Sequence, residues 1–265
     1  MVSAKVSFAY LCFVEQTSSR YFLEIAYNGT AYHGWQVQEN AVSVQEKLNG
    51  ALQILLREPV ETVGAGRTDT GVHAKQLFVH FESNAAVLKN ADRFIHSLNA
   101  LLPFDIVVYR LIPVDSAAHA RFDATSRSYE YHVHFIKDPF LHLQSWLLRD
   151  IPDIDKMNLA AIDLLGKQDF SCFSKSNTQV FTNICEITRA EWEMKDGKLI
   201  FHITADRFLR NMVRAIVGTL MEVGLGKKPV EHVKAVIASQ DRSMAGTSVP
   251  ACGLYLTKVL YPYID

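Results

Sequence analysis

A chain of 265 residues with 49% hydrophobic and 21% charged residues has the make-up of a packed globular protein, as one large domain or two small ones. Its net charge of −1 carries no global basic signal for nucleic acid, and no apolar run approaches the roughly 18 to 20 residues of a membrane span. The four cysteines (Cys12, Cys172, Cys185, Cys252) are scattered without a Cys-x-x-Cys pair, so they read as reduced thiols of a cytosolic protein rather than a disulfide framework or a zinc site.

The apolar stretch Val6 to Val14 follows Lys5, but Glu15 to Ser19 offers no small-x-small cleavage site, so a secretory signal is not expected. Met1 to Ser19 is read as an extension, a start-site artefact or a disordered arm, with no function attached. Tyr21 to Tyr27 reads as a strand by alternation. Ser43-Val44-Gln45-Glu46 is a capping box, and the helix it opens lines up Val44, Leu48, Ala51, Leu52 and Leu55 on one side. Leu77 to Phe81 and Ile106 to Ile112 read as further strands, separated by a helix from Asp92 to Leu102 that stops before Pro103. Over about the first 112 residues these three strands and two helices are read as a ferredoxin-like α+β split unit, whose full order is strand, helix, strand, strand, helix, strand.

Pro113 to Asp123 is the expected crossover into a second half of similar style. Ser128 to Ile136 reads as an aromatic-rich strand and Asp155 to Leu165 as a helix. Phe181 to Met194 and Lys198 to Ala205 form a hairpin around Asp196-Gly197. Leu209 to Val223 is the strongest amphipathic helix, with Leu209, Met212, Val213, Ile216, Val217 and Leu220 inward and Gly224 as its C-terminal stop. Pro229 opens a short helix to Ala238, and Leu254 to Tyr261 closes the chain as a strand. The expected division is an extension over 1–19, one α+β half over 20–115 and a second over 116–265.

Two local features point to chemistry. Gly64-Ala65-Gly66-Arg67-Thr68-Asp69-Thr70-Gly71 places one carboxylate, Asp69, on a tight Gly-flanked turn just before a strand, with Arg67 as a neighbouring cation that favours its ionised form. From Asp206 to Lys228 the cations Arg207, Arg210, Arg214, Lys227 and Lys228 outnumber Asp206 and Glu222, a local basic strip suited to phosphates on a near-neutral protein. His132 and His134 share one strand face, but no cysteine or carboxylate cluster completes a ligand set, so no metal is expected. Gly64-x-Gly66 followed by Gly71 lacks dinucleotide-binding spacing, and Gly226-Lys227-Lys228 lacks the rest of a P-loop, so no cofactor is expected either.

Five motifs in register carry a resemblance. Tyr27-Asn28-Gly29-Thr30-x-Tyr32-x-Gly34-Trp35-Gln36 comes first. Gly66-Arg67-Thr68-Asp69-x-Gly71-Val72-His73-Ala74 and His119-Ala120-Arg121-Phe122-Asp123-Ala124-Thr125-Ser126-Arg127-x-Tyr129-x-Tyr131 follow. Phe208-Leu209-x-x-Met212-Val213-Arg214-x-Ile216-Val217-Gly218 and Gly253-Leu254-Tyr255-Leu256 complete the set. Together they resemble the tRNA pseudouridine synthase A family, from about Arg20 to the C-terminus. One departure is Thr70, where the family commonly has Ala.

The resemblance implies an α+β pseudouridine synthase fold: two ferredoxin-like halves, a largely antiparallel mixed sheet and a central cleft. It implies a cofactor-independent isomerase that converts uridine to pseudouridine in the anticodon arm of tRNA, working in the cytoplasm as a homodimer. Its catalytic set here is Asp69, Tyr129 and Arg214. Asp69 is the essential carboxylate, either a nucleophile at C1′ or a general base on a sugar proton. Arg214 is its salt-bridge partner, and Tyr129 stacks on the target base and helps remove the C5 proton. Arg67 fills the gap left by a flipped base as well as tuning Asp69. Arg121, Arg127, Arg207 and Arg210 read as phosphate contacts, and Leu254 as an apolar pocket wall. Two other readings compete: an RNA-binding or RNA-folding protein of the same fold without catalysis, and a hydrolase pairing Asp69 with His73.

Overall fold

The computed structural model describes residues 19–175 and 182–264. The expected extension, apart from its last residue Ser19, lies outside the described residues, as does Phe181 at the expected start of the hairpin. The first half runs β1 (Ser19–Tyr27), α1 (Val44–Leu56), β2 (Val63–Gly64), β3 (His73–Ser83), α2 (Ala91–Leu101) and β4 (Ile106–Val114). It has the expected split βαββαβ order; β2, two residues long, supplies a strand that no alternation marks. Ser43 caps α1 as a full capping box, its hydroxyl accepting from Glu46 N–H while the Glu46 carboxylate accepts from Ser43 N–H.

The second half runs β5 (Ser126–His134), β6 (Trp146–Leu147), α3 (Ile154–Ala161), β7 (Gly166–Asp169), β8 (Ile184–Lys195), β9 (Lys198–Ala205), α4 (Met212–Gly224), α5 (His232–Ser239) and β10 (Leu254–Leu260). Three of the boundaries that differ from the sequence reading have a local cause or consequence. α4 starts at Met212 rather than Leu209, because Asn211 stands in the left-handed region at φ 66° and breaks the helix there. Its left-handed stop is Gly226 at φ 70°, not Gly224. Gly224 is still helical; a Cβ there would lie 2.7 Å from the Met157 side chain, so it is small to let α3 and α4 pack. Pro229 lies one turn before α5, its carbonyl accepting from His232 N–H at 3.1 Å.

All ten strands join one sheet in the order β4-β1-β3-β10-β5-β9-β8-β7, with β2 added to β3 and β6 to β5. Neighbours are antiparallel except β10 with β3 and β6 with β5. Two buried cores result. Phe22, Leu23, Ile25, Leu48, Leu52, Leu77, Phe94 and Leu98 unite the first half's strands with α1 and α2. Met157, Leu164, Phe201, Ile203, Met212, Ile216, Val217 and Leu220 unite the second half's strands with α3, α4 and α5. Each such Leu, Ile or Phe contributes roughly 1.5–3 kcal/mol relative to exposure. β10, last in sequence, lies between the halves: Leu254 packs in the second core, Leu256 and Val259 in the first. Tyr129 packs against both.

Candidate active site

The Asp69 turn is held by backbone on all sides. Val72 N–H donates to the Asp69 carbonyl at 3.1 Å, and Gly71 N–H to the Tyr32 carbonyl at 3.2 Å. Thr68 turns inward, its hydroxyl 2.8 Å from the buried Tyr27 hydroxyl, and its carbonyl accepts from Trp35 N–H. Gly34 makes that approach possible: at φ 90°, a Cβ there would stand 2.3 Å from the Thr68 oxygen. Thr68 pointing in leaves Asp69 facing the open side, with its side chain 29% exposed. On the far side of the turn, His73 Nδ1 accepts from Gly29 N–H and Nε2–H donates to the Cys252 carbonyl, both at 3.1 Å. Burial lowers its pKa, and both ring nitrogens serve the backbone. His73 is thus a neutral brace for the turn, which leaves the Asp69–His73 hydrolase reading without a free base.

Two arginines meet Asp69 from α4 and the turn before it. Arg214 Nη1 lies 3.8 Å from Oδ2, and Arg210 Nε lies 3.7 Å from Oδ1. These are ion-pair rather than hydrogen-bond distances, so the carboxylate is oriented without being fully engaged. Arg214 is itself aimed: its Nε donates to the Val249 carbonyl at 2.7 Å, and its own carbonyl accepts from Val249 N–H. The loop carrying Val249 rests on α4 through Gly218, where a Cβ would stand 1.9 Å from the Thr247 oxygen. Tyr131 anchors the same loop by donating to the Pro250 carbonyl at 2.7 Å.

Two sequence assignments change here. Arg67 was expected to tune Asp69; among the described residues the ion-pair partners of Asp69 are Arg210 and Arg214, while Arg67 is exposed on the outer side of a turn whose inner side belongs to Thr68. Arg127 was expected on phosphate. Its guanidinium instead donates to four backbone carbonyls, those of Ala124 (2.8 Å), Asp206 (2.8 Å), Arg121 (2.6 Å) and Ala65 (3.1 Å). Neither bond set has a pattern that spacing along the chain reveals.

Tyr129 projects from the middle of β5, its half-buried ring meeting Phe208 edge-on at 5.1 Å between centroids. Burial pushes its phenol up to about 12; the Arg127 charge opposes that shift and the nearby Asp69 charge adds to it. The phenol is therefore a neutral platform beside a carboxylate. Phe208 was part of a motif but was given no role by the sequence reading; edge contact with Tyr129 is its structural place. Arg121 is exposed with its guanidinium over the Phe122 ring at 5.7 Å, and Arg207 is half-buried. Leu254 is buried, paired across the sheet with Tyr131 and packed in the second core. Asp69, Tyr129, Arg210 and Arg214 thus converge on one open cleft wall, with Arg127 tying its segments together. Cavities of about 510 Å³ beside α1 and 320 Å³ beside His73 and Tyr255 lie away from Asp69. A shallow wall of this kind suits a polymer substrate more than an enclosed small molecule.

A family profile described as tRNA pseudouridine synthase matches residues 160–262. The tRNA pseudouridine synthase A of Bacteroides fragilis is 50% identical, covering 92% of this chain and 96% of that protein. Proteins of the same name from Porphyromonas gingivalis and Bacteroides thetaiotaomicron are 50% and 51% identical, each over 92% of this chain and over 98% and 91% of their own lengths.

Proposed function

The chain belongs to the tRNA pseudouridine synthase A family, and from that membership and the geometry around Asp69 we propose that it isomerises uridine to pseudouridine in the anticodon stem-loop of tRNA. The N1–C1′ bond breaks, the base rotates, and C5 bonds to C1′. The C5 proton leaves and N1 takes one up, so product and substrate have the same atoms. Nothing is oxidised and no group is transferred elsewhere, so the chemistry asks only for orientation and proton handling.

The observation that carries this reading is the convergence of Asp69, Arg214 and Tyr129 from a turn, a helix and a strand. Asp69 works on the ribose, at C1′ as nucleophile or on a sugar proton as general base; both roles need an ionised carboxylate held at a fixed angle. Arg214 holds that angle. Tyr129 supplies a flat, uncharged face for the extruded base, and with a pKa near 12 its hydroxyl relays the C5 proton rather than resting as phenolate. Arg67, exposed at the rim, fits the gap in the stack when the base leaves, an extrusion that costs a few kcal/mol. Arg121 and Arg207 contact phosphates at the same rim, and Leu254 backs the pocket from within the sheet.

The working form we infer is a homodimer in the cytoplasm, one subunit gripping the tRNA body while the other receives the uridine. The two halves, 20–115 and 116–265, supply Asp69 on one side and Tyr129 and Arg214 on the other. Among the described residues no helix is long and apolar enough to cross a membrane. Sedimentation equilibrium checks the dimer.

The activity is tested by tritium release from C5-labelled uridine in an unmodified tRNA transcript, with the purified chain and with Asp69→Ala. Release that disappears in the variant is the expected result. Absence of release by the wild type, with tRNA binding retained by both proteins, would leave only the non-catalytic RNA-binding reading.

A further inference from the structure

Arg210 is followed by the residue that departs most from its sequence expectation. Asn211 interrupts an apolar periodicity that runs from Leu209 onward, standing at φ 66° and ψ 4°. Asn is among the few residues other than glycine that enter this region, and it persists there where surroundings hold it. Those surroundings are present. The Asn211 amide donates to Ser248 Oγ, which also accepts from Arg242 Nη2 at 3.2 Å. Arg242 Nη1 in turn bonds the carbonyls of Ala245 (3.3 Å) and Gly246 (3.2 Å). The Asn211 carbonyl opens α4 by accepting from Ala215 N–H, and the Arg210 carbonyl accepts from Lys175 N–H. The left-handed turn is thus fixed on both sides, and Arg210 leaves it with Nε 3.7 Å from Asp69 Oδ1.

Arg214 reaches the other oxygen, Oδ2. One guanidinium on one oxygen leaves the carboxylate free to rotate about its Cβ–Cγ bond; one on each oxygen fixes its plane. We propose that Arg210 is a second positioning residue for Asp69, directed to it by the left-handed Asn211, rather than a phosphate contact. The inference rests on the reading of Asp69 as the reacting carboxylate. The Arg210 side chain is 57% exposed, so in the free protein the pair is screened by water and adds little to stability. When RNA covers the cleft and displaces that water, the same pair strengthens, so its effect belongs to the bound complex and to kcat.

The test is steady-state tritium release with unmodified tRNA, resolving kcat from KM, for wild type, Arg210→Gln, Arg210→Lys, Asn211→Gly and Asn211→Ala, with thermal melts to compare folding. Arg210→Gln is expected to lower kcat roughly 10- to 100-fold with KM within about twofold. Arg210→Lys should recover part of the loss, because it restores charge without the planar fork. Asn211→Gly, which keeps the left-handed turn open, should stay close to wild type, while Asn211→Ala should lose kcat. Combining Asn211→Ala with Arg210→Gln should add little, since both act through one contact. An unchanged kcat in Arg210→Gln overturns the proposal, and a raised KM with a flatter salt dependence in that variant would assign Arg210 to phosphate. Should Asn211→Ala fail to fold, the two Arg210 variants decide alone. Activity retained by Asp69→Ala would instead overturn the catalytic reading itself, a separate outcome.

Discussion

Arg127 is a charged side chain used as masonry. Its guanidinium gathers carbonyls from Ala65 at the start of the Asp69 turn, the crossover at Arg121 and Ala124, and the corner at Asp206 that leads to Arg207 and Arg210. Burial lowers its pKa below the ordinary arginine value; four carbonyl dipoles offset the desolvation of its charge. Arg127→Met leaves those carbonyls without their donor, so urea melts should report a loss of about 2–4 kcal/mol. Arg127→Lys should recover little, since one ammonium cannot span the fan of a guanidinium. If Arg127→Met melts like wild type while raising KM, Arg127 belongs on phosphate after all. This residue marks where sequence reading stops at this scale. Asp69 was legible as a candidate because a turn, three glycines and a motif all single it out. The partners of each arginine were not: Arg127, Arg210 and Arg214 share a residue type, and what separates them is which backbone segments the fold brings near. Thr68 turns inward to Tyr27, Arg67 stays exposed, and Arg210, just before the left-handed Asn211, comes within ion-pair distance of Asp69.

Elements were legible where local physics is strong. The capping box at Ser43 and the apolar stripe of α1 need no tertiary context, and the hairpin β8–β9 follows from Asp196-Gly197. The two-residue strands β2 and β6 and the four-residue β7 carry no alternation to read; they pair only because longer neighbours present edges to them. β3 also carries a titrating group that its pattern does not reveal. His80 is buried on it, stacked on Phe22 at 6.0 Å, with Nδ1 accepting from Ala120 N–H at 3.1 Å and so pinning the crossover. Burial, aided by the charges of neighbouring His119 and Arg20 and opposed by Glu82 and Asp123, pushes its pKa down to about 4 from 6.5. Between those values the unfolded chain binds a proton that the native protein does not, so stability rises with pH through this window. The contribution is complete above pH 6.5 and is lost as pH falls toward 4, by up to about 3 kcal/mol. His80→Asn keeps an acceptor for Ala120 N–H and removes the titration. Chemical denaturation at pH 7 and pH 4.5 should show the wild type losing more stability than the variant; equal losses would mean that His80 is protonated in the native protein. His73, His119, His134 and His232, whose pKa values burial also lowers, keep the slope positive in both proteins.

At the scale of the molecule, the candidate site depends on the last strand, which joins the two halves into one sheet. Leu256 of β10 is paired with Ala74 of β3 on one side and with Tyr129 of β5 on the other. Two interstrand steps of about 4.8 Å put β3 and β5 roughly 10 Å apart with β10 between them, so the strand that follows the Asp69 turn and the strand that carries Tyr129 belong to one continuous sheet. That spacing was not legible, because β10 is separated from both partners by more than a hundred residues and its parallel pairing to β3 has no local signature. The whole-chain charge misleads in the same way. A net charge of −1 carries no nucleic-acid signal, yet Arg67 and Arg121 are exposed and Arg207 half-buried, cations that the proposed function places on a polyanion locally. Arg121 is the clearest member: exposed, and anchored by its carbonyl to the same Arg127 nitrogen that holds Ala65. If the rim binds phosphates, the KM for tRNA should rise with salt while kcat holds. Arg121→Gln should lower the log–log salt slope by about 0.7–0.9, the loss of one phosphate contact, and weaken all tRNA substrates alike. A slope unchanged by Arg121→Gln would move the RNA backbone to another part of the cleft. A fall in kcat without a change in slope would put Arg121 beside the chemistry instead, acting through the Ala65 turn that it shares with Arg127.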